Sequence, residues 1–402
     1  MVSKKFLGKK TKSLKRIGEK LISEVAQTAA KKPSQFSENF SPVFLQSGKG
    51  AYVKDLEGNT FLDTIMGIGP IILGYNHPDT NKAIINQLKN GINFSLTHPI
   101  EIQLAVELKS ILPNMDMFRF SKTGVDVTTA AIRAARNFTQ KNKILSCGYH
   151  GWHDWNAITL NKNSGVPKFN SKLIKKFQYN NFEQMADNID NDTAAVIMEP
   201  IIFEYPKDNF LKKIKKIKKQ KNILLIFDEM WTGFRFPSYS FQEYIGVTPH
   251  LSIFSKGIAN GYTISAIVGR KDIMDEFNNV WGFTTFGGDA LSISAAIKNI
   301  ERIEETNAIE YIWSKGLLFQ KEINQLLIKY NLNDKIFVSG YPCRFKLDFK
   351  QDFDSKNAID IIKKTFLENG ILWNNMFVFS LADKGIHLQK TLSVFNNALS
   401  KI

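Results

Sequence analysis

A chain of 402 residues with 43% hydrophobic content can bury a large core and build more than one domain. No stretch approaches the roughly 20 uninterrupted apolar residues of a membrane span. Only Cys147 and Cys343 occur, so neither a bilayer protein nor a disulfide scaffold is expected. The formal charge of +15 would suit nucleic acid, but eight arginines stand against 45 lysines. That leaves few of the bidentate forks that base and phosphate recognition recruits, and no nucleic-acid partner is expected.

In chain order, the first 35 residues read as a polar helical arm ending near Lys31-Lys32-Pro33. Its basic start is followed by no apolar stretch or small-residue cleavage site, so the expected location is cytoplasmic rather than secreted. Residues 50–63 (GAYVKDLEGNTFLD) alternate apolar and polar positions about Glu57-Gly58-Asn59, which is a hairpin signal. From Asp126 to Phe138, residues Val127, Ala130, Ala131, Ala134, Ala135 and Phe138 share one helical face. Short apolar runs follow at Ile144-Leu145, Ala194–Met198, Ile223–Phe227, Leu251–Phe254 and Ile264–Val268, with helix-like stretches between several of them. This is the pattern of an α/β core, a sheet covered on both faces. Within 211–221 (LKKIKKIKKQK), Leu211, Ile214 and Ile217 recur every three residues, which reads as an apolar helix stripe with a solvated lysine face. After about residue 300 the pattern changes to long helices and a short strand pair. The expected division is 1–68 (arm and small-domain segment), 69–300 (large domain) and 301–402 (C-terminal small domain).

Carboxylates close two of the apolar runs, as Glu199-Pro200 and Asp228-Glu229. Ligands of open α/β sheets bind beyond the carboxyl ends of the strands, so both pairs belong at the rim of a site. Acids ending strands are common and decide little alone. The third feature is Lys256, which follows Leu251–Ser255 and precedes Gly257. A lysine ending one strand beside an acid ending another invites a Schiff-base amine and a carboxylate paired with a cofactor's pyridinium nitrogen. No metal-ligand spacing, Gly-x-Ser-x-Gly or Walker-type loop is present.

The motifs GPIILGYNHPD (69–79), TGVDVTTAAIRAAR (123–136), CGYHGWHDW (147–155), AAVIMEP (194–200), LLIFDEMWTGFR (224–235), SKGIANG (255–261) and TTFGG (284–288) recur in the order of one family. Together they resemble the class III aminotransferases, nearest the glutamate-1-semialdehyde 2,1-aminomutase-like branch. The resemblance implies fold type I, with a large, mainly parallel seven-stranded sheet domain, helices on both its faces and a small α+β domain. It implies pyridoxal 5'-phosphate (PLP) as cofactor and a homodimer with shared sites. By the same resemblance Lys256 holds PLP as a Schiff base and moves the substrate proton, and Asp228 keeps the pyridine nitrogen protonated. Tyr149 stacks on the ring, Met230 packs the opposite face, and Glu199 and Glu229 are supporting acids. His150 is read as structural or supporting. Thr123, Gly124 and Val125 receive the phosphate at a helix start, where free N–H groups bind anions. Thr285 reaches the phosphate from the neighbouring subunit.

Two departures bear on the substrate. Val125 stands where relatives carry a hydroxyl residue. In the aminomutases an arginine shortly before the segment resembling Ser41-Pro42-Val43-Phe44 grips the substrate carboxylate, whereas this chain has no arginine between Arg16 and Arg119. Lys31 or Lys32 supplies at most a point charge there. Ile201-Ile202-Phe203-Glu204 replaces the small glycine-containing loop expected after Glu199-Pro200. CGYHGWHDW, with Lys122 and Asp126 about the glycine turn, further resembles aminotransferase-like proteins of surface-polysaccharide pathways. The expected reaction is amino transfer to a keto or aldehyde substrate, a sugar or sugar-derived precursor. The alternatives are glutamate-1-semialdehyde aminomutase and a silent PLP-fold binding protein.

Overall fold

The structure is a computed structural model that describes residues 8–37 and 40–402, apart from the side chains of 217–221. It divides into two units, one of residues up to Pro78 together with Thr306–Ile402, the other Asp79–Glu305.

The second unit is built on a seven-stranded sheet. Its strands run in the order Met117–Ser121, Ser265–Gly269, Leu251–Phe254, Leu224–Asp228, Thr193–Met198, Lys143–Cys147 and Ile174–Lys176. All are parallel except Ser265–Gly269, which runs against both neighbours. The central strands are buried throughout, as continuous apolar runs between two helical layers must be. The two flanking strands, Met117–Ser121 and Ile174–Lys176, escape the apolar-run signal because each exposes part of its length at the sheet edge. The helix Gly124–Thr139 buries Val127, Ala130, Ala131, Ala134 and Ala135, and these pack with Ile144, Ala195, Ile197, Ile226 and Ile253 in one core cluster. The helix Pro99–Ile111 is set by a capping box. His98 Nδ1 accepts from Ile100 N–H, and Glu101 accepts from His98 N–H at 3.1 Å. In the helix Phe210–Lys221, Leu211 and Ile214 are buried as the stripe requires, while the side chain of Ile217 lies outside the described residues.

In the first unit the arm is α-helical only over Lys9–Leu21 and continues as three single 3-10 turns, the last at Pro33–Gln35. The hairpin forms between Tyr52–Asp55 and Thr60–Asp63, its turn held by Asp55 accepting from Glu57 and Asn59 N–H. Ile371–Leu372 adds to this hairpin in parallel, with Ile371 opposite Leu62. That pairing joins the N-terminal segment and the last hundred residues into one unit. The chain parts at Pro78 and Glu305, where the sequence pattern suggested 68 and 300. The rest of the unit is a three-stranded antiparallel sheet and the helices Ala308–Lys329, Ser355–Glu368 and Gly385–Leu399. Among the described residues no helix is long and apolar enough to cross a membrane.

Candidate active site

Parallel pairing puts the exits of four strands on one edge of the sheet. Cys147 lies opposite Met198, Met198 opposite Phe227, and Asp228 opposite Ile253. The residues that leave those strands, Tyr149, His150, Glu199, Asp228 and Lys256, therefore gather along one rim. Met117–Ser121 ends at the same edge and delivers Thr123, Gly124 and Val125.

Asp228 is the most constrained of them. It is 2% exposed; Oδ2 accepts from His150 Nδ1 at 2.7 Å and Oδ1 from Met230 N–H at 3.1 Å. His150 is fully buried, and its Nε2 lies 3.1 Å from Cys147 O, so the imidazole bridges a strand end to the carboxylate. Two donors fix the carboxyl plane and leave a lone pair for a third, as a pyridinium partner requires.

Lys256 opens a 3-10 turn (Lys256–Ala259) with φ of +44°, a left-handed conformation that costs a non-glycine residue energy. The turn is held from behind by fully buried Asn299, whose amide donates to Gly257 O and Ile258 O at 2.8 and 2.9 Å. Lys256 Nζ stands 4.6 Å from the centre of the Trp231 ring. Neither Asn299 nor Trp231 was legible as a site residue. Trp231 directly follows the strand-ending Asp228-Glu229-Met230, and that placement was the available signal.

At the start of the helix Gly124–Thr139, Asp126 accepts from Thr123 N–H at 2.7 Å, and Ser265 Oγ donates to Thr123 O at 2.8 Å. These bonds pin the turn and leave the N–H groups of Gly124 and Val125 open at the start of a 16-residue helix, the standard anion cradle. A Cβ at Gly124 would come within 1.9 Å of Met230 Sδ, so the glycine lets that side chain lie against the turn. Val125 Cγ2 would lie 2.4 Å from a Cβ on Gly151, so the valine packs closely under the Tyr149–Gly151 loop. The loop is also tied by Tyr149 N–H donating to Glu199 Oε1 at 3.0 Å. Tyr149 remains 55% exposed, and its partial burial raises the phenol's pKa.

Glu229 turns away from this group. Its carboxylate accepts from Thr232 Oγ1 and from Phe241 and Gln242 N–H, capping the helix Phe241–Ile245. Burial pushes it up to about 7 against the pull of those three donors. Thr285 is exposed, in a turn closed by Gly287 N–H to Thr284 O. Lys122 anchors that segment through an ion pair with Asp289 and a 3.0 Å bond to Ser292. Among the described residues no cluster of His, Cys, Asp or Glu could hold a metal ion.

The family profile described as "Aminotransferase class-III" matches residues 34–394. The chain belongs to that family. A 3-aminobutyryl-CoA aminotransferase of Cloacimonas acidaminovorans is 35% identical over 80% of this chain and 79% of its own. A glutamate-1-semialdehyde 2,1-aminomutase of Methanococcoides burtonii is 31% identical over 84% and 85%. Among solved structures, the FumI protein of Sphingopyxis sp. MTA144 in its PLP internal aldimine form superposes with a TM-score of 0.90 at 24% identity, covering 98% of this chain and 96% of that one. The fold is that of the fold type I PLP transaminases, the cofactor is PLP, and the reaction class is amino-group transfer, between two substrates or within one.

Proposed function

We propose that this chain transfers an amino group, on PLP held by Lys256, to or from a carbonyl substrate other than glutamate-1-semialdehyde. PLP, when bound, supplies an electrophilic carbon and an electron-accepting ring. The Lys256 amine would hold it and, once displaced, would carry the proton between the substrate's Cα and the cofactor's C4′. Asp228, oriented by His150, would pair with the pyridine nitrogen, and Tyr149 and Met230 would pack against the ring. Gly124 and Val125 N–H would hold the phosphate, together with Thr285 of the partner subunit in a homodimer. The exposure of Thr285 and of its neighbours Trp281 (93%) and Phe286 (58%) supports a segment lent to a second copy. Glu199 holds the Tyr149 loop, and Glu229 positions the chain after Asp228.

The observation that carries the substrate reading is the composition of the N-terminal arm. It borders a cavity of about 390 Å³ lined mainly by Phe36, Val43, Leu45, Ile65, Ile68 and Leu372. Lys32 is ion-paired with Glu24 at 2.5 Å, so Lys31 is the lysine that lines the cavity. Asp63 and Tyr75, also in its wall, bond each other at 2.5 Å. With no arginine between Arg16 and Arg119, the arm lacks the guanidinium fork that a free carboxylate calls for, a loss of roughly 1.5–3 kcal/mol, or about ten- to 150-fold in binding. The motif resemblance favours a keto or aldehyde sugar, or a sugar-derived precursor of surface polysaccharide. The Cloacimonas relative supports a second reading, a short acyl-CoA substrate. The test is a side-by-side assay of glutamate-1-semialdehyde, a nucleotide-linked keto sugar and 3-oxobutyryl-CoA with a common amino donor. The semialdehyde should be the poorest by tenfold or more. Efficient conversion of the semialdehyde to 5-aminolevulinate, with neither alternative turned over, returns the chain to the aminomutase reading.

A further inference from the structure

The helix Gly124–Thr139 presents Thr129, Ile132, Arg133 and Arg136 at spacings of three and four residues, hence on one face. That face lines a groove of about 490 Å³ whose other wall carries Trp152 and Phe169. The volume lies within the roughly 300–1,000 Å³ of small-molecule sites. Both rings are unusually bare, Trp152 at 69% and Phe169 at 61% exposure. The wall beneath them is nonetheless rigid. Thr129 Oγ1 lies 2.7 Å from His153 Nδ1 and accepts from Trp155 Nε1 at 3.0 Å, and the Trp152 ring stands edge-on to His153.

The two arginines have most of their donors left. Arg133 gives one bond, to Trp281 O at 2.7 Å, and Arg136 one, to Asn142 O at 2.8 Å. Among the described residues neither has a carboxylate within ion-pair distance; Asp192 acts on Arg136 only at longer range, and Asp154 is the acid in the groove wall. Half-used guanidinium forks match the oxygens of a diphosphate, and a bare aromatic ring takes the face of a base. Along the helix, Arg133 and Arg136 lie about 14 Å and about 18 Å from the Gly124 turn at 1.5 Å per residue, which leaves room for a linker.

We infer that this groove binds a nucleoside 5'-diphosphate, the handle that carries the carbonyl substrate. The inference rests on the amino-transfer reading only for what the handle bears. Two carriers share that chemistry, coenzyme A thioesters and nucleotide-linked sugars.

The experiment is calorimetric titration of the PLP-loaded enzyme with ADP, UDP, coenzyme A and inorganic diphosphate at fixed ionic strength. A nucleoside diphosphate should bind at least tenfold tighter than inorganic diphosphate. The pair Arg133→Gln and Arg136→Gln should weaken it tenfold or more, and Arg136→Lys, which keeps the charge but not the fork, should fall between. Coenzyme A ahead of UDP identifies the acyl carrier, and the reverse order the sugar carrier. The inference is overturned if none of the nucleotides binds or if inorganic diphosphate binds equally well. It is also overturned if the arginine variants split a dimer while nucleotide affinity stays unchanged, since the face would then be a contact between copies. Spectral conversion of the wild-type cofactor by an amino donor, followed separately, tests the amino-transfer reading. Donor conversion without nucleotide binding defeats the groove alone, and nucleotide binding without donor conversion defeats the transfer reading alone.

Discussion

The carboxyl rim of the seven-stranded sheet and the N-terminal arm with its cavity are built on opposite plans. On the rim each polar group is held by another: Asp228 by His150 and Met230, the Lys256 turn by Asn299, the Tyr149 loop by Glu199, the Thr123 turn by Asp126 and Ser265. Around the cavity the wall is mostly apolar, with Lys31 at its edge and an Asp63–Tyr75 pair satisfied internally. Cofactor chemistry needs fixed angles and pre-oriented charge, so its residues come with their supports. An apolar wall selects by shape and one or two polar contacts, so side-chain exchange alters what it admits.

If the rim is the catalytic region, its failure should be complete and local. Lys256→Ala homodimers should be inactive, and Thr285→Ala homodimers should retain PLP poorly. Mixing the two should restore activity, because each heterodimer then holds one site with neither lesion. Demonstrated subunit exchange without recovered activity, assayed at limiting PLP, would break the shared-site account. A smaller effect separates the two acids of the rim. Asp228→Ala should lower kcat about 100-fold, since a charge-assisted bond to the ring nitrogen counts for roughly 1.5–3 kcal/mol and matters most as the carbanion forms. Glu199→Gln keeps an acceptor for Tyr149 N–H and should cost less than tenfold; equal losses in kcat would contradict the ranking.

The smallest expected effect concerns Glu229, which supports the rim without facing it. Its folded pKa of about 7 lies above its ordinary 4.5, so the protonated form is favoured by folding. The stability it contributes is complete below pH 4.5 and is lost as pH rises to about 7, on the order of 3 kcal/mol. Glu229→Gln should flatten that part of the stability profile in urea titrations. An unchanged slope between pH 4.5 and 7 would assign the dependence to another group.

The rim was readable before the fold because strand-ending residues sit at the switch from apolar run to polar turn, and Asp228, Glu199 and Lys256 each mark such a switch. Glu229 was readable as an acid, but not its direction. Adjacent residues on a strand end point to opposite faces, and only the positions of Thr232 and Phe241 show which face Glu229 took. Asn299 and the His150–Asp228 bond span 42 and 78 residues of chain, contacts that no local pattern encodes. The packing of Val125 was likewise hidden, since it rests on a close approach to Gly151 far along the chain. The flanking strands were missed for a simpler cause, because half-exposed strands carry no apolar run.

The central claim is that Lys256 carries the cofactor. Borohydride reduction of the PLP-loaded enzyme, followed by proteolysis and mass mapping, should abolish the visible absorption and place a single pyridoxyl group on the peptide containing Ser255-Lys256-Gly257. A pyridoxyl group on any other lysine, or a visible band that survives reduction with no modified peptide, would contradict it.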